Sequence, residues 1–200
     1  MTKINKLDIL SKNKFLSLYN ANYTNKGGKE NNWTIASRKD EETLKEIYFE
    51  GVESKEDAVV IVPFHKESNK LVIIKQFRVP VNGYVYELPA GLIDAGEDPK
   101  VSVVRELKEE TGLKVVEIKE NKMKRKLYLS PGMTDESVTL VYCTCEGDLS
   151  KEYLEEDEDI EAVLVSREEA EELLKSNVEF DIKCYLVLQE FVRYGSEIFE

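Results

Sequence analysis

With 200 residues, 42% of them hydrophobic, the chain is long enough for one good core and a small subdomain. Its 28 basic residues face 40 acidic ones, and the net charge of -12 argues against nucleic acid as a partner. No apolar run approaches the roughly 20 residues that a membrane-spanning helix needs, and the opening Met1-Thr2-Lys3-Ile4-Asn5-Lys6 lacks the apolar core of a secretory signal.

In chain order, Phe15–Tyr19 and Trp33–Ser37 read as strands, separated by a polar stretch whose Gly27-Gly28 suits a turn. Glu42–Tyr48 is a further candidate strand. Sharper apolar runs follow at Ala58–Pro63, Leu71–Phe77 and Tyr84–Leu88, and His65, the single histidine, is expected at the surface. Asp98-Pro99 then reads as the N-cap and first residue of a helix, since proline has no N–H to lose there. Val101, Val104 and Leu107 form its apolar stripe, and Gly112 can end it in a left-handed conformation. Strands are expected at Val115–Ile118, Lys124–Leu129, Val138–Cys145 and Ile160–Val165, and helices at Arg167–Lys175 and Asp181–Tyr194. Cys143, Cys145 and Cys184 lie in apolar stretches and read as buried, reduced thiols. Together with the missing signal they fit a cytoplasmic protein. The division expected is an N-terminal β-rich subdomain over 1–50 and a main domain over 51–200.

The helix expected after Asp98 carries the most informative feature of the chain. Glu106, Glu109 and Glu110 sit at spacings that bring their side chains together on a helix surface, where like charges repel. A hard divalent cation with oxygen ligands neutralises such a cluster. Upstream, Glu87-Leu88-Pro89-Ala90-Gly91 closes a strand, so that the loop from Ala90 to Asp98 returns Glu97 and backbone carbonyls over the helix. Written out, the pattern is Gly91, Glu97, Arg105-Glu106-Leu107, Glu109-Glu110, Gly112-Leu113. An acidic solvated helix face accounts for single glutamates but not for glycine, arginine and spacing together.

This pattern resembles the Nudix box, and every defined position is met from Gly91 to Leu113. The resemblance implies an α/β fold, a Nudix α/β/α sandwich around a mixed sheet, here with a small N-terminal antiparallel β-subdomain. It also implies hydrolysis of a nucleoside diphosphate linked to another moiety, with Mg2+ or Mn2+. Glu106, Glu110 and the carbonyl of Ala90 are then the expected metal ligands. Glu109 serves a second metal or a bridging water, and Arg105, reaching Glu97, orients the carboxylates. The metal is needed because an anionic nucleophile must approach a pyrophosphate in a chain whose own field is negative.

Outside the box, Gln76-Phe77-Arg78, Gly83-Tyr84 and Glu87–Asp94 resemble the segment leading into the box in ADP-ribose pyrophosphatases, and Ser130-Pro131-Gly132 resembles their Ser-Pro-Gly loop. Its proline lies a few residues further from the box than usual, which suggests a longer hairpin near Glu120–Lys124. The implied substrate contacts are Trp33 on the base, Arg38 on phosphate or ribose, Arg78 on the phosphates, and Pro131 and Gly132. Glu87 is read as a metal ligand or as a holder of the loop. The acidic run Glu155–Asp159 aligns with a loop that carries the general base, Glu158 in the best alignment, with Glu156 and Glu161 as neighbours able to replace it. The expected partners are a nucleoside diphosphate sugar, ADP-ribose foremost, and a second copy of the chain in a homodimer. A GDP-mannose hydrolase is the near alternative. A non-catalytic ADP-ribose sensor is remote, because the carboxylates are retained and no basic appendage is present.

Overall fold

Alternation of inward apolar and outward polar residues builds the first sheet. The computed structural model describes residues 1–156 and 158–200, so that Asp157 of the acidic run lies outside the described residues. Strands β1 (Lys3–Lys12), β2 (Ser17–Thr24) and β3 (Glu30–Ser37) pair antiparallel in the order β1-β2-β3. Leu7, Tyr19 and Ala21 turn inward against Leu44 to form a small core. The β2–β3 turn is held by the Asn25 side chain, which accepts from the N–H groups of Gly27 and Lys29. β1 was not anticipated. Leu7 is its one buried residue, and in a strand interrupted by Lys3, Lys6 and Lys12 no inward period is legible.

Glu42–Tyr48 is helical, a correction to the expected strand. Asp40 accepts from Thr43 N–H and caps α1 (Glu41–Lys45), which runs on into a π-helical turn, Glu46–Glu50, stopped by Gly51 at φ +76°. The apolar residues that suggested a strand serve instead as a helical face, with Leu44 wholly buried.

The chain divides into two compact units, Met1–Asp57 with Lys126–Val138, and Ala58–Arg125 with Thr139–Glu200. The second is built on a mixed sheet from β4 (Ala58–His65), β5 (Lys70–Arg78), β6 (Gly83–Glu87), β7 (Ala90–Leu92), β8 (Lys114–Ile118), β9 (Lys124–Tyr128), β10 (Ser137–Glu146), β11 (Ile160–Val165) and β12 (Glu179–Phe180). Its path is β12-β6-β5-β4-β10-β8, with β11 on β5, β7 on β4 and β9 on β10. β12 runs parallel to β6, whereas β5 is antiparallel to both β6 and β11. β4 is buried on both faces, as a continuous Val-Ile-Val run requires. The short segment Glu120–Lys122 forms a 3-10 turn between β8 and β9.

Three helices complete this unit: α2 (Pro99–Thr111), α3 (Arg167–Lys175), whose Ser166 and Glu169 form a capping box, and α4 (Ile182–Tyr194), capped by Asp181. α2 presents a different face from the expected stripe. Val103 and Leu107 enter the core with Val59, Ile61, Val72 and Val141, while Val101 and Val104 are 56% and 48% exposed. Val103 and Leu107 set this face by packing into the core, and Ser102, Glu110 and Thr111 share the buried side with them. His65 is also corrected. It is buried at the end of β4, where Nδ1 accepts from Ser68 N–H and Nε2 donates to Gly147 O at 2.9 Å. The three cysteines are buried free thiols.

Candidate active site

α2 is fixed at both ends before it carries any chemistry. Asp98 accepts from Lys100 N–H at its start, and Gly112 ends it at φ +79°, where a Cβ would lie 2.6 Å from Ser150 Cβ. Its carboxylates therefore have set positions. Glu110 is 5% exposed and accepts from Ala90 N–H at 3.0 Å. Burial pushes its pKa well above the usual carboxylate range, and the charges of Glu106 and Glu158 push it the same way. Burial likewise raises Glu106, against the pull of Arg105, and Glu109 and Glu158 add to the rise.

The Glu106 carboxylate occupies the space over Gly91. A Cβ there would lie 1.9 Å from Glu106 Cδ, so no residue but glycine leaves that carboxylate where it is. Arg105 ties the group together: Nη1 donates to Glu106 at 2.6 Å and to Glu109 at 3.1 Å, and Nη2 to Glu97 and Leu92 O, each at 3.0 Å. Glu97 is held down to about 2 by the hydrogen bond from Arg105 and then by that from the Ser102 hydroxyl. Ser102 belongs to this network although its residue type alone signals nothing.

Arg78, at the end of β5, grips Glu87, at the end of β6, through Nε at 2.6 Å and Nη2 at 2.8 Å. The bond to Glu87 raises the Arg78 pKa, and the charge of Glu110 adds to the rise. Glu158 is brought to the same cluster, close enough to raise both Glu106 and Glu110, while its Oε2 accepts from Glu155 N–H at 3.0 Å. Glu156 and Glu161 are exposed.

Among the described residues, no three acidic, histidine or cysteine side chains form a preformed metal cage. The donor set still fits a hard divalent cation, because Glu106 and Glu110 are adjacent carboxylates whose charged forms are costly without one. Gly91 keeps the space beside them clear of any side chain.

In the first unit, Trp33 is half exposed and its indole Nε1 donates to Gly132 O at 3.1 Å. Trp33, Pro131 and Gly132, with Tyr48, Tyr128 and Met133, line a cavity of about 510 Å3. Arg38 lies outside that lining, paired through Nε with Glu136 at 2.7 Å. Tyr128 and Met133 carried no signal in the sequence, since an exposed aromatic and a loop methionine have many uses.

Residues 54–187 match the model of the NUDIX domain. The chain belongs to the Nudix family. Among relatives of this Nudix protein, the methanol dehydrogenase activator of Bacillus methanolicus is 34% identical over 68% of this chain and 75% of its own. The ADP-ribose pyrophosphatase of Bacillus subtilis is 34% identical over 62% and 65%. The GDP-mannose pyrophosphatase of an Enterobacter species is 31% identical over 76% and 81%. The chain spans only 54% of a Caenorhabditis elegans nudix protein that it matches at 42% identity. A crystal structure described as an ADP compounds hydrolase shares the fold, with a TM-score of 0.70 at 21% identity over 98% of this chain and 94% of that one. No helix among the described residues is long and apolar enough to cross a membrane.

Proposed function

We propose that this Nudix protein hydrolyses the pyrophosphate of ADP-ribose or a related nucleoside diphosphate sugar, giving AMP and ribose 5-phosphate from ADP-ribose. The observation that carries this reading is the pair Glu106 and Glu110, two neighbouring carboxylates drawn out of water and raised above their ordinary pKa. Relatives named as ADP-ribose pyrophosphatases in Bacillus subtilis and Saccharomyces cerevisiae and as an ADP-sugar pyrophosphatase in Mus musculus support the substrate class.

In this proposal Glu106, Glu110 and the Ala90 carbonyl hold Mg2+, replaceable by Mn2+, and Glu109 serves a second ion or a bridging water. The cation, when bound, supplies neutralisation of the pyrophosphate oxygens and a lowered water pKa. Arg105 ties Glu97, Glu106 and Glu109 together and holds them in place. Arg78, two of whose nitrogens are engaged by Glu87, turns its remaining Nη1 donors to a phosphate oxygen. Glu158, released from Glu155 N–H, takes the proton of the attacking water. Trp33, Pro131 and Gly132 hold the base and Arg38 the ribose or phosphate.

The proposal extends to the whole molecule, with residues 1–50 as a dimer-forming subdomain and 51–200 as the catalytic domain. In this proposal the setting is the reducing cytoplasm, in which the three buried thiols stay free. The GDP-mannose pyrophosphatase relatives favour a second reading in which the same chemistry acts on a different nucleotide sugar. Turnover with Mg2+ against ADP-ribose, ADP-glucose, GDP-mannose and NADH, with products identified by mass, separates the two. Preference for ADP-ribose yielding AMP supports the first; preference for GDP-mannose replaces it with the second; no turnover on any removes both.

A further inference from the structure

The base of the loop carrying Glu158 is clasped by two neighbouring strands. Asp159, next to Glu158, has its backbone oxygen bonded by Phe77 N–H at 3.1 Å, and this contact continues the β5–β11 ladder one residue beyond Ile160↔Gln76. Its side chain takes a second bond, from the Tyr84 hydroxyl to Oδ2 at 2.6 Å. Tyr84 is itself held. It is the cross-strand partner of Phe77, the two rings meet edge to face at 5.5 Å, and the Lys75 ammonium lies 5.0 Å from the centre of the phenol ring.

Tyr84 is 46% exposed, so its bond to Asp159 adds little to global stability. Geometry gives it another effect. The backbone bond is one point of attachment at the end of β11, and the phenol adds a second, one residue from the carboxylate whose charge acts on Glu106 and Glu110.

We infer that Tyr84 is a positioning residue for the hydrolysis: through its hydroxyl bond to Asp159 it fixes the start of β11 and thereby the approach of Glu158 to the Glu106–Glu110 cluster. The inference rests on the proposed role of Glu158 as general base. Tyr84 needs no contact with the substrate for this, and acts on the catalytic step rather than on binding.

Four proteins test it with ADP-ribose and Mg2+: wild type, Tyr84→Phe, Glu158→Gln and the double variant. Expected are a kcat for Tyr84→Phe about tenfold below wild type, KM within twofold, unchanged Tm and unchanged Mn2+ affinity by water-proton relaxation. A fifth protein, Asp159→Ala, which removes the acceptor of the Tyr84 hydroxyl, should resemble Tyr84→Phe. In the Glu158→Gln background, adding Tyr84→Phe should cost nothing more, because the group it positions is gone. Wild-type kcat in Tyr84→Phe, or a full multiplicative loss in the double variant, overturns the positioning role while leaving Glu158 as base. A raised KM at unchanged kcat overturns it by making Tyr84 a substrate contact. Unchanged turnover in Glu158→Gln overturns the assignment of the base and this inference with it.

Discussion

At the residue scale the site depends on what is absent from Gly91 as much as on what α2 presents. Adding a methyl group there places carbon inside the Glu106 carboxylate, and the flexible glutamate, not the strand, must move. Gly91→Ala should therefore keep its fold by circular dichroism and lose turnover by about 100-fold, the cost of misplacing one group in a site by about an ångström. Glu110→Gln tests the neighbouring carboxylate differently. The amide oxygen still accepts from Ala90 N–H, so the variant should fold, while kcat falls by about a thousandfold or more with the loss of the charge. Near-normal turnover in Glu110→Gln would remove it from the metal site.

At the element scale, α2 and the segment after β3 rest on different supports. α2 depends on its cap, and Asp98→Ala should cost about 1 kcal/mol in denaturant unfolding. The start of α1 depends on Lys39, whose ammonium is buried between Asp57 at 2.6 Å and Asp135 at 3.1 Å. Lys39→Met leaves two carboxylates without their cation, and the first unit should lose about 3–5 kcal/mol by urea melts. Burial alone pulls the Lys39 pKa down, but the Asp57 bond and the charges of Asp135 and Asp57 outweigh it, and the net shift is upward. A raised lysine pKa stabilises fully below the unfolded value near 10.5 and ceases to do so as pH climbs past the folded value. Melts between pH 9 and 12 should show wild type converging on the variant, and a constant gap across that range contradicts the assignment. Neither this triad nor the helicity of Glu42–Tyr48 was legible in the sequence. Asp40 is a cap only because Thr43 N–H lies over it, and Asp57 and Asp135 meet only after 77 intervening residues have folded.

At the scale of the whole molecule, Ile9, Leu10 and Leu18 of the three-stranded sheet and Phe15 and Leu16 between β1 and β2 are exposed apolar side chains. The proposed homodimer predicts twice the chain mass by sedimentation equilibrium at micromolar concentration; a monomer with full turnover would contradict it. Trp33→Ala should raise KM for ADP-ribose about tenfold while leaving kcat nearly unchanged, since stacking on a base contributes about 1–3 kcal/mol. An unchanged KM would return Trp33 to a structural role, anchored as it is by Gly132 O.

The sequence by itself determined the family and the helix that bears Glu106, Glu109 and Glu110, because a spacing of three and four residues on an α-helix is local and needs no fold to interpret. It determined most strands of the main sheet for the same reason, their apolar runs being continuous and bounded by turns. Only the tertiary structure decided which face of α2 is buried, why position 91 must be glycine, that His65 is inside, and that Arg78 is held by Glu87 and Asp159 by Tyr84. Each of these depends on atoms brought together from separate strands or from a strand and a helix, and on the loss of water around them, which no local pattern along the chain records.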